Sequence, residues 1–239
     1  MAMKNASQPP ATDLNADFLH VRDWVFDLDN TLYPPSMRLF DQIEIKMTDF
    51  VMSALNVSRD RADYLRSHYW EHYGTTLAGL MREHNVDPGP YLYEVHEISM
   101  DQLTPDPQLC KAISALPGRK IVYTNGTAPY AERVLAARGL SGLFDGIYGV
   151  ENADFHPKPE AQAYEMIFEK AGISPSFAAM FEDDPRNLHV PHAMGLRTVL
   201  VGQNTAPAPH IHHHTEDLAS FLGAITNPKS APNKAGVDY

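Results

Sequence analysis

The sequence predicts an α/β protein whose core is a Rossmann-like, three-layer parallel sheet with an inserted α-helical cap. Short apolar, β-prone segments alternate with segments of helical periodicity, which is typical of a doubly wound sheet. Three of the apolar segments run directly into polar, reactive residues, as strands do at the ligand-binding edge of such sheets. One interval between strands is much longer than the others, and it is strongly helical.

Four apolar segments are the predicted core strands, and each ends at a polar residue or a glycine. They cover residues 24–26, 120–123, 177–181 and 197–201. Apolar periodicity and end signals predict the helices between them. These helices cover residues 127–139, 160–171 and 185–194.

The interval between Asp29 and Thr124 is nearly three times the interval between Thr124 and Lys158. Its excess begins with an amphipathic helical pattern that runs from Phe40 to Leu55. The remainder predicts helices over residues 58–73, 75–84 and 89–100. We therefore expect the following organisation: a helical cap at 34–104, a core at 21–33 and 105–226, and flexible tails at 1–20 and 227–239.

Composition limits the classes of function. The chain has 30 acidic and 19 basic residues and a formal charge of −11, which argues against a nucleic-acid polymer as partner. Cys110 is the one cysteine, so an intrachain disulfide and a cysteine-based zinc site are excluded. No apolar run approaches the ~18 residues of a membrane span, and the N-terminus lacks a signal-peptide pattern. We expect a cytoplasmic protein, monomeric or homodimeric, without a membrane partner.

Seven polar residues are predicted to meet at the edge of the sheet where the parallel strands end. They are Asp27, Asp29, Thr124, Asn125, Lys158, Asp183 and Asp184. Four converging carboxylates would repel one another in a cleft, and a hard cation such as Mg²⁺ relieves that repulsion. Lysine and threonine beside the cation supply donors for a phosphoryl group. One aspartate can attack phosphorus, and a second can protonate the leaving oxygen and then activate water.

In chain order these residues form four motifs: Asp-x-Asp-x-Thr, a strand-terminal Thr-Asn-Gly, a Lys-Pro before a helix, and Glu-Asp-Asp-Pro-Arg-Asn. Together they resemble the four motifs of the haloacid dehalogenase superfamily, over roughly residues 22–223. The helical insertion after the first motif resembles the C1-type cap of subfamily I. Residues 26–34 resemble the pyrimidine 5′-nucleotidase branch, in which Asn often replaces the Gly that precedes the Thr.

The resemblance implies a role for each of the candidate site residues in the first three motifs. Asp27 matches the nucleophile, which is also a metal ligand, and Asp29 matches the general acid and base, with its backbone carbonyl on the metal. Thr124 matches the phosphate-binding hydroxyl, and the Asn125 backbone adds a donor. Lys158 matches the cation that binds the phosphoryl oxygens and tempers the charge of the nucleophile.

In the fourth motif, Asp184 matches the direct metal ligand, and Asp183 matches a partner close to the metal. Asn187 and Pro185 stand where the family often has Asp and Ser. The acid at Asp29 separates this chain from the dehalogenases, which resemble it but have Tyr there, and from the phosphonatases, which have a small residue. An acid favours expulsion of an alkoxide, so the resemblance implies a phosphatase or a phosphomutase.

The resemblance thus implies a Mg²⁺-dependent phosphomonoester hydrolase that forms an aspartyl-phosphate, with pyrimidine nucleoside 5′-monophosphates as the expected substrates. Alternatives are a phosphatase of sugar phosphates or other small metabolites, a phosphomutase, and a binding protein for nucleotide or metal on the same fold. Taken singly, the aspartates are equally consistent with turn and helix caps. The occurrence of all four motifs in this chain order favours a shared active site over separate caps.

Two further patterns leave alternatives open. The first is an aromatic run in the cap: Tyr64, His68, Tyr69, Trp70, His72 and Tyr73. At helical spacing it is expected to pack within the cap, and the alternative is that one or two of its rings stack on a nucleobase. The second is a histidine tract: His210, His212, His213 and His214. It is expected to be a solvated loop, with a metal site as the alternative.

Overall fold

The computed structural model describes residues 14–203 and 207–226. Within them, one sheet of six parallel strands has the order β3-β2-β1-β4-β5-β6. The strands are β1 (Asp23–Phe26), β2 (Arg119–Tyr123), β3 (Gly146–Tyr148), β4 (Ala178–Glu182), β5 (Arg197–Val201) and β6 (His213–Thr215). This topology confirms the predicted parallel α/β fold.

The α-helices of the described residues fall between and around these strands. They are α1 (Leu14–Phe18), α2 (Leu39–Leu55), α3 (Arg59–Tyr73), α4 (Thr76–His84), α5 (Pro88–His96), α6 (Pro107–Ser114), α7 (Ala128–Ala137), α8 (Ala161–Ala171), α9 (His189–Met194) and α10 (Leu218–Thr226). Among them, none has the length and apolar character that crossing a bilayer requires.

The core consists of one apolar cluster on each face of the sheet. On β1, Trp24 and Phe26 belong to one cluster and Val25 to the other, because successive side chains of a strand point to opposite faces. All four residues of β1 and all five of β4 are buried, as expected for central strands covered by helices on both faces. The carboxyl ends of these two strands are therefore held rigidly beside each other.

Four helices, α2 to α5, lie between β1 and α6, inside the interval that the sequence assigns to a cap. Polar side chains begin three of them: Ser58 accepts from the Arg61 N–H, Thr75 from the Ala78 N–H, and Asp87 from the Gly89 N–H. The bounds of α3 and α4 agree with the predicted helices to within one residue, whereas α5 ends four residues early. The division of the chain into core and cap stays a prediction.

Five of the α-helices and strands were not predicted, namely α6, α10 and the shorter α1, β3 and β6, and two of these contradict expectations. Helix α1 lies in the expected N-terminal tail, and its Phe18 is buried against Trp24. Strand β6 contains part of the histidine tract that was expected to be a solvated loop. Strand β3, like β6, is three residues long and too short for a periodic pattern. The rest of the expected tails, residues 1–13 and 227–239, lies outside the described residues.

Gly79 provides a test of the packing between α3 and α4. A Cβ at this position would lie 2.1 Å from Tyr69 Cγ and 2.5 Å from Tyr69 Cβ, and the Tyr69 side chain is fully buried. We expect Gly79→Ala to lower the free energy of unfolding by about 1–3 kcal/mol, the range for an overpacked site. Urea denaturation measures it.

Gly223, in α10, is the matched control, since a Cβ there meets no atom within 4 Å. Gly223→Ala should leave stability unchanged or raise it by up to about 1 kcal/mol, because alanine favours a helix. Equal effects of the two substitutions would contradict the packing described here.

Candidate active site

A cavity of about 910 Å³ lies between the carboxyl edge of the sheet and the helices α2, α3 and α5. All seven residues that the sequence predicts as site residues line it. They come from the ends of β1, β2 and β4 and from the loop before α8, which the parallel topology brings to one edge. The structure thus brings the predicted set together.

Lys158 is a buried ammonium group at the base of the cavity, with 1% of its surface exposed. Its Nζ donates to Asp27 Oδ1 at 2.6 Å, to Glu182 Oε1 at 2.8 Å and to the Tyr123 carbonyl at 3.2 Å. Burial alone would lower the pKa of Lys158, but the carboxylates of Asp27 and Glu182 outweigh it and raise the pKa. The side chain therefore carries a positive charge beside Asp27.

The backbone of Lys158 is placed by Asn125. The Lys158 N–H donates to Asn125 Oδ1 at 2.8 Å, and Asn125 Nδ2 donates to the Lys158 carbonyl at 3.1 Å. This reciprocal pair joins the loop after β2 to the loop before α8. The side chain of Asn125 thus positions the backbone of Lys158, in addition to the backbone role that the family resemblance implies for Asn125.

Three carboxylates, those of Asp27, Glu182 and Asp183, each place an oxygen within 4.8 Å of the other two. Burial and the charge of Glu182 raise the pKa values of both Asp27 and Asp183. The single charge of Lys158 cannot balance three carboxylates. Hard oxygen ligands with excess negative charge are what Mg²⁺ prefers, so the donor set fits this ion.

Glu182 was not among the predicted site residues. It is the last residue of β4 and is 1% exposed. Its Oε1 accepts from Lys158 and from Asn187 Nδ2 at 2.6 Å, and its Oε2 accepts from the Asp184 N–H at 2.8 Å. The sequence does contain a signal for Glu182, because this acid directly follows the predicted buried strand of residues 177–181. An acid buried at such a place needs a charged or hydrogen-bonding partner.

Asp184 is used differently from what the sequence suggested. Its carboxylate caps the 3-10 turn Pro185–Leu188 by accepting from the Arg186 N–H, and it pairs with the Arg186 guanidinium at 2.7 Å. It lines the cavity but lies outside the group of three carboxylates, in which Asp183 takes part. This geometry favours Asp183 over Asp184 as metal ligand, the reverse of the order that the family resemblance implies.

Asp29 is held by two tyrosines that sequence reasoning did not identify. Its Oδ1 accepts from the hydroxyl of Tyr33 at 2.6 Å and from the hydroxyl of Tyr130 at 2.7 Å. Burial raises the pKa of Asp29, while these two hydrogen bonds oppose the rise. Asn30, between the two motif positions Asp29 and Thr31, has φ +59°, a left-handed conformation that asparagine tolerates well.

Thr124 is 1% exposed and lies at the end of β2. Its Oγ1 accepts from the Gly126 N–H at 2.9 Å, and its backbone N–H donates to the Tyr148 carbonyl at 3.0 Å. Because the hydroxyl oxygen is used as an acceptor, its hydrogen is left for an acceptor in the cavity.

The wall opposite the sheet edge is largely apolar. The apolar side chains that α2 and α5 contribute to this wall are Phe40, Ile43, Met47, Tyr91, Leu92 and Val95. Of the aromatic run, Trp70 is the described member that lines the cavity, and it is 51% exposed. The Arg186 Cζ lies 3.4 Å from the Trp70 ring centroid, and Arg186 Nη1 donates to the Trp70 carbonyl at 3.0 Å.

Comparison with known proteins identifies the family. The model of the haloacid dehalogenase-like hydrolases matches residues 24–195, more than half of the chain. Phosphate metabolism protein 8 of Saccharomyces cerevisiae is 27% identical over 191 residues, which cover 73% of this chain and 60% of the yeast protein. The chain therefore spans somewhat less than two thirds of that relative's length.

Solved structures of the same fold include enzymes of two kinds. A phosphatase from Thermococcus onnurineus has a TM-score of 0.58 and 16% identity, and the match covers 88% of this chain and all of that one. A 2-haloacid dehalogenase from Pseudomonas syringae has a TM-score of 0.54 and 17% identity, with coverage of 86% and 98%. At these identities the likeness concerns the fold, and the site residues must distinguish the reactions.

The site predicts different effects for two adjacent aspartates on metal binding. We expect Mg²⁺ to raise the Tm of the wild type, because the ion relieves repulsion among three buried carboxylates. Asp183→Asn should raise the Mg²⁺ concentration needed for that shift at least tenfold, about 1.4 kcal/mol. A Mg²⁺ titration of the Tm measures it without substrate.

Asp184→Asn is the matched control, since it makes the same chemical change one residue away. It should leave the Mg²⁺ titration within about twofold of the wild type, less than 0.5 kcal/mol. A larger loss of Mg²⁺ affinity in Asp184→Asn than in Asp183→Asn would contradict the ligand order read from the structure.

Proposed function

The chain belongs to the haloacid dehalogenase-like hydrolases, and on this premise we propose that it is a Mg²⁺-dependent phosphomonoester hydrolase acting through an aspartyl-phosphate. The observation that carries the proposal is the contact between the Lys158 ammonium and Asp27, beside the carboxylates of Glu182 and Asp183. One place thus offers an oxygen nucleophile, a cation for phosphoryl oxygens and a set of metal ligands.

Asp27 and Asp183, with the backbone carbonyl of Asp29, would hold the Mg²⁺. Among the described residues, Asp27 Oδ2 and both carboxylate oxygens of Asp183 receive no hydrogen bond, whereas the oxygens of Glu182 are used by Lys158, Asn187 and the Asp184 N–H. When bound, the ion would neutralise negative charge on the transferring phosphoryl group. Glu182 would then keep Lys158 in place.

In the first step an Asp27 carboxylate oxygen attacks phosphorus and the bond from phosphorus to the leaving oxygen breaks. The electron pair of that bond goes to the leaving oxygen, which takes a proton from Asp29. In the second step Asp29 takes a proton from water, the water oxygen bonds to phosphorus, and the bond to Asp27 breaks. Throughout, the Lys158 ammonium would oppose the charge of the phosphoryl oxygens from its place beside Asp27, and the Thr124 hydroxyl is placed to donate to one of those oxygens.

The carboxyl of Asp29 supports hydrolysis of a phosphate ester over dehalogenation. A halide leaves as a stable anion and needs no proton, whereas an alkoxide is a poor leaving group that a buried acid assists. Burial raises the pKa of Asp29, which favours the protonated form that a general acid needs. The fold alone does not separate the two reactions, because relatives of both kinds share it.

We propose pyrimidine nucleoside 5′-monophosphates as the preferred substrates. In the cavity wall the guanidinium of Arg66 is already paired, at 3.3 Å with Glu44 and 3.6 Å with Asp63. A second phosphate or a carboxylate would therefore meet carboxylates rather than a free cation in that part of the wall. The apolar residues of α2 and α5 and the half-exposed Trp70 suit an uncharged, planar group. A sugar phosphate with an uncharged remainder is the second candidate.

The nucleophile is tested by Asp27→Asn, which removes the negative charge and nearly keeps the shape. We expect kcat with Mg²⁺ to fall by at least about 10³-fold, since the loss of a nucleophile removes the covalent pathway. Phosphate release is measured on p-nitrophenyl phosphate and on UMP, with an EDTA arm. Asp101→Asn, at an exposed aspartate, should keep full activity. Full activity of Asp27→Asn would contradict the proposal.

Substrate preference is tested with a panel of UMP, CMP, dTMP, AMP, GMP, several sugar phosphates and UDP. We expect the highest kcat/KM for the pyrimidine monophosphates and little turnover of UDP, because the wall around Arg66 repels a second anion. Higher activity on sugar phosphates than on every nucleotide would support phosphomonoester hydrolysis but contradict the preference for nucleotides.

The role of Trp70 in that preference is tested by Trp70→Ala. We expect kcat/KM for UMP to fall about tenfold more than kcat/KM for glycerol phosphate, since a stacked base contributes about 1–3 kcal/mol. Tyr64→Ala removes an aromatic ring from the same helix, one that is 55% exposed and does not line the cavity, and it should change neither value. Equal losses on both substrates would contradict base stacking.

A further inference from the structure

We propose that Tyr33 and Tyr130 are positioning residues that hold Oδ1 of Asp29 and so reserve Oδ2 for proton transfer to the leaving group. This tyrosine clamp (Tyr33 and Tyr130) rests on the proposed function, because it concerns the acid of that reaction. Its basis is that two hydroxyls donate to the same carboxylate oxygen, at 2.6 Å and 2.7 Å.

The two hydrogen bonds determine which oxygen of Asp29 is free. A carboxylate oxygen has two lone pairs in the plane of the group, and the hydroxyls of Tyr33 and Tyr130 occupy both on Oδ1. No donor among the described residues reaches Oδ2, and Asp29 lines the cavity. A proton on Asp29 therefore belongs on Oδ2.

The clamp also restricts rotation of the carboxyl group. The terminal torsion of an aspartate is broad and two-fold, so a free carboxyl would exchange its oxygens. Tyr33 follows β1 and Tyr130 lies on α7, so the two donors approach from different elements. Both side chains are 1% exposed, and neither can follow a rotating carboxyl without leaving its packing.

Tyr130 is in turn held by the helical insertion. The His96 ring, at the end of α5, stacks on Tyr130 with centroids 4.4 Å apart and 12° between the ring planes. The Arg133 Nη1 donates to the His96 carbonyl at 3.0 Å and joins the end of α5 to α7. The insertion therefore reaches the acid through His96 and Tyr130, in addition to walling the cavity.

The clamp has a consequence that a purely structural role would lack. As the ester bond breaks, the Oδ2–H bond breaks too and its proton goes to the leaving oxygen, which keeps the electron pair of the ester bond. An alkoxide needs this proton, whereas p-nitrophenolate is stable without it. A misplaced acid should therefore slow release of an alcohol much more than release of p-nitrophenol.

The test uses Tyr33→Phe, Tyr130→Phe and the double variant, each with its Tm measured. Leaving-group release is followed in single turnovers with excess enzyme and Mg²⁺, because this isolates the first step from the later hydrolysis. The substrates are p-nitrophenyl phosphate and the alkyl phosphate that the wild type hydrolyses fastest. Asp29→Asn is the reference for complete loss of the general acid, which should slow the reaction of the alkyl phosphate by about 10²–10⁴-fold.

We expect each single variant to slow release of the alcohol from the alkyl phosphate about tenfold, and the double variant about 10²-fold. These losses are part of the rate enhancement that a general acid supplies. Release of p-nitrophenol should change less than about twofold. Tyr69→Phe, which removes a tyrosine hydrogen bond to Glu83 away from the cavity, should leave the ratio of the two rates unchanged.

Equal slowing on both substrates would overturn the clamp and leave the proposed function intact. Unchanged release from the alkyl phosphate in the double variant would do the same. If the wild type turns over neither substrate, the proposed function is overturned, and with it the catalytic role of the clamp. The wild-type arm thus separates the two failures.

Discussion

The buried ammonium of Lys158 is the group on which the rest of the site depends. Removing an ammonium from water costs several kcal/mol unless it is paired and hydrogen-bonded. Here three acceptors take its three hydrogens: carboxylates at the ends of β1 and β4, and a carbonyl of β2. One side chain thereby fastens three adjacent strands at the edge where ligands of such sheets bind. The same contact orients Asp27, the proposed nucleophile.

The imbalance of charge around this lysine governs the remaining contacts. Three carboxylates face one ammonium, so an excess of negative charge remains among them after Lys158 is paired. The neighbouring Asp184 is withdrawn from the group by its bonds to Arg186, which limits the repulsion. Arg186 then stacks on Trp70, so the same local pairing also places an aromatic ring at the wall of the cavity. The pairing that balances charge at the sheet edge therefore also shapes the cavity wall around Trp70.

The sequence predicted the sheet and the seven lining residues because both follow from local patterns and from one topological rule. Buried parallel strands end at a common edge, so Asp27, Thr124 and Asp183 were expected to meet. What it missed depends on side-chain direction. Glu182 is the final residue of a strand, and the sequence does not show that its side chain points toward Lys158. Asp183 joins the carboxylate group whereas Asp184 caps the next turn, and this difference depends on the backbone conformation of that turn. Tyr130 is 101 residues from Asp29, and no periodicity in the sequence signals that contact.

The most direct test of the account is to trap the covalent intermediate. The enzyme is mixed with Mg²⁺ and a turned-over phosphate ester, quenched in acid within one turnover, and digested for peptide mass analysis. We expect a phosphoryl group on the peptide that contains Asp27, and we expect none with EDTA or in Asp27→Asn. Turnover with no phosphoryl group on Asp27, or with one on another residue, would contradict it.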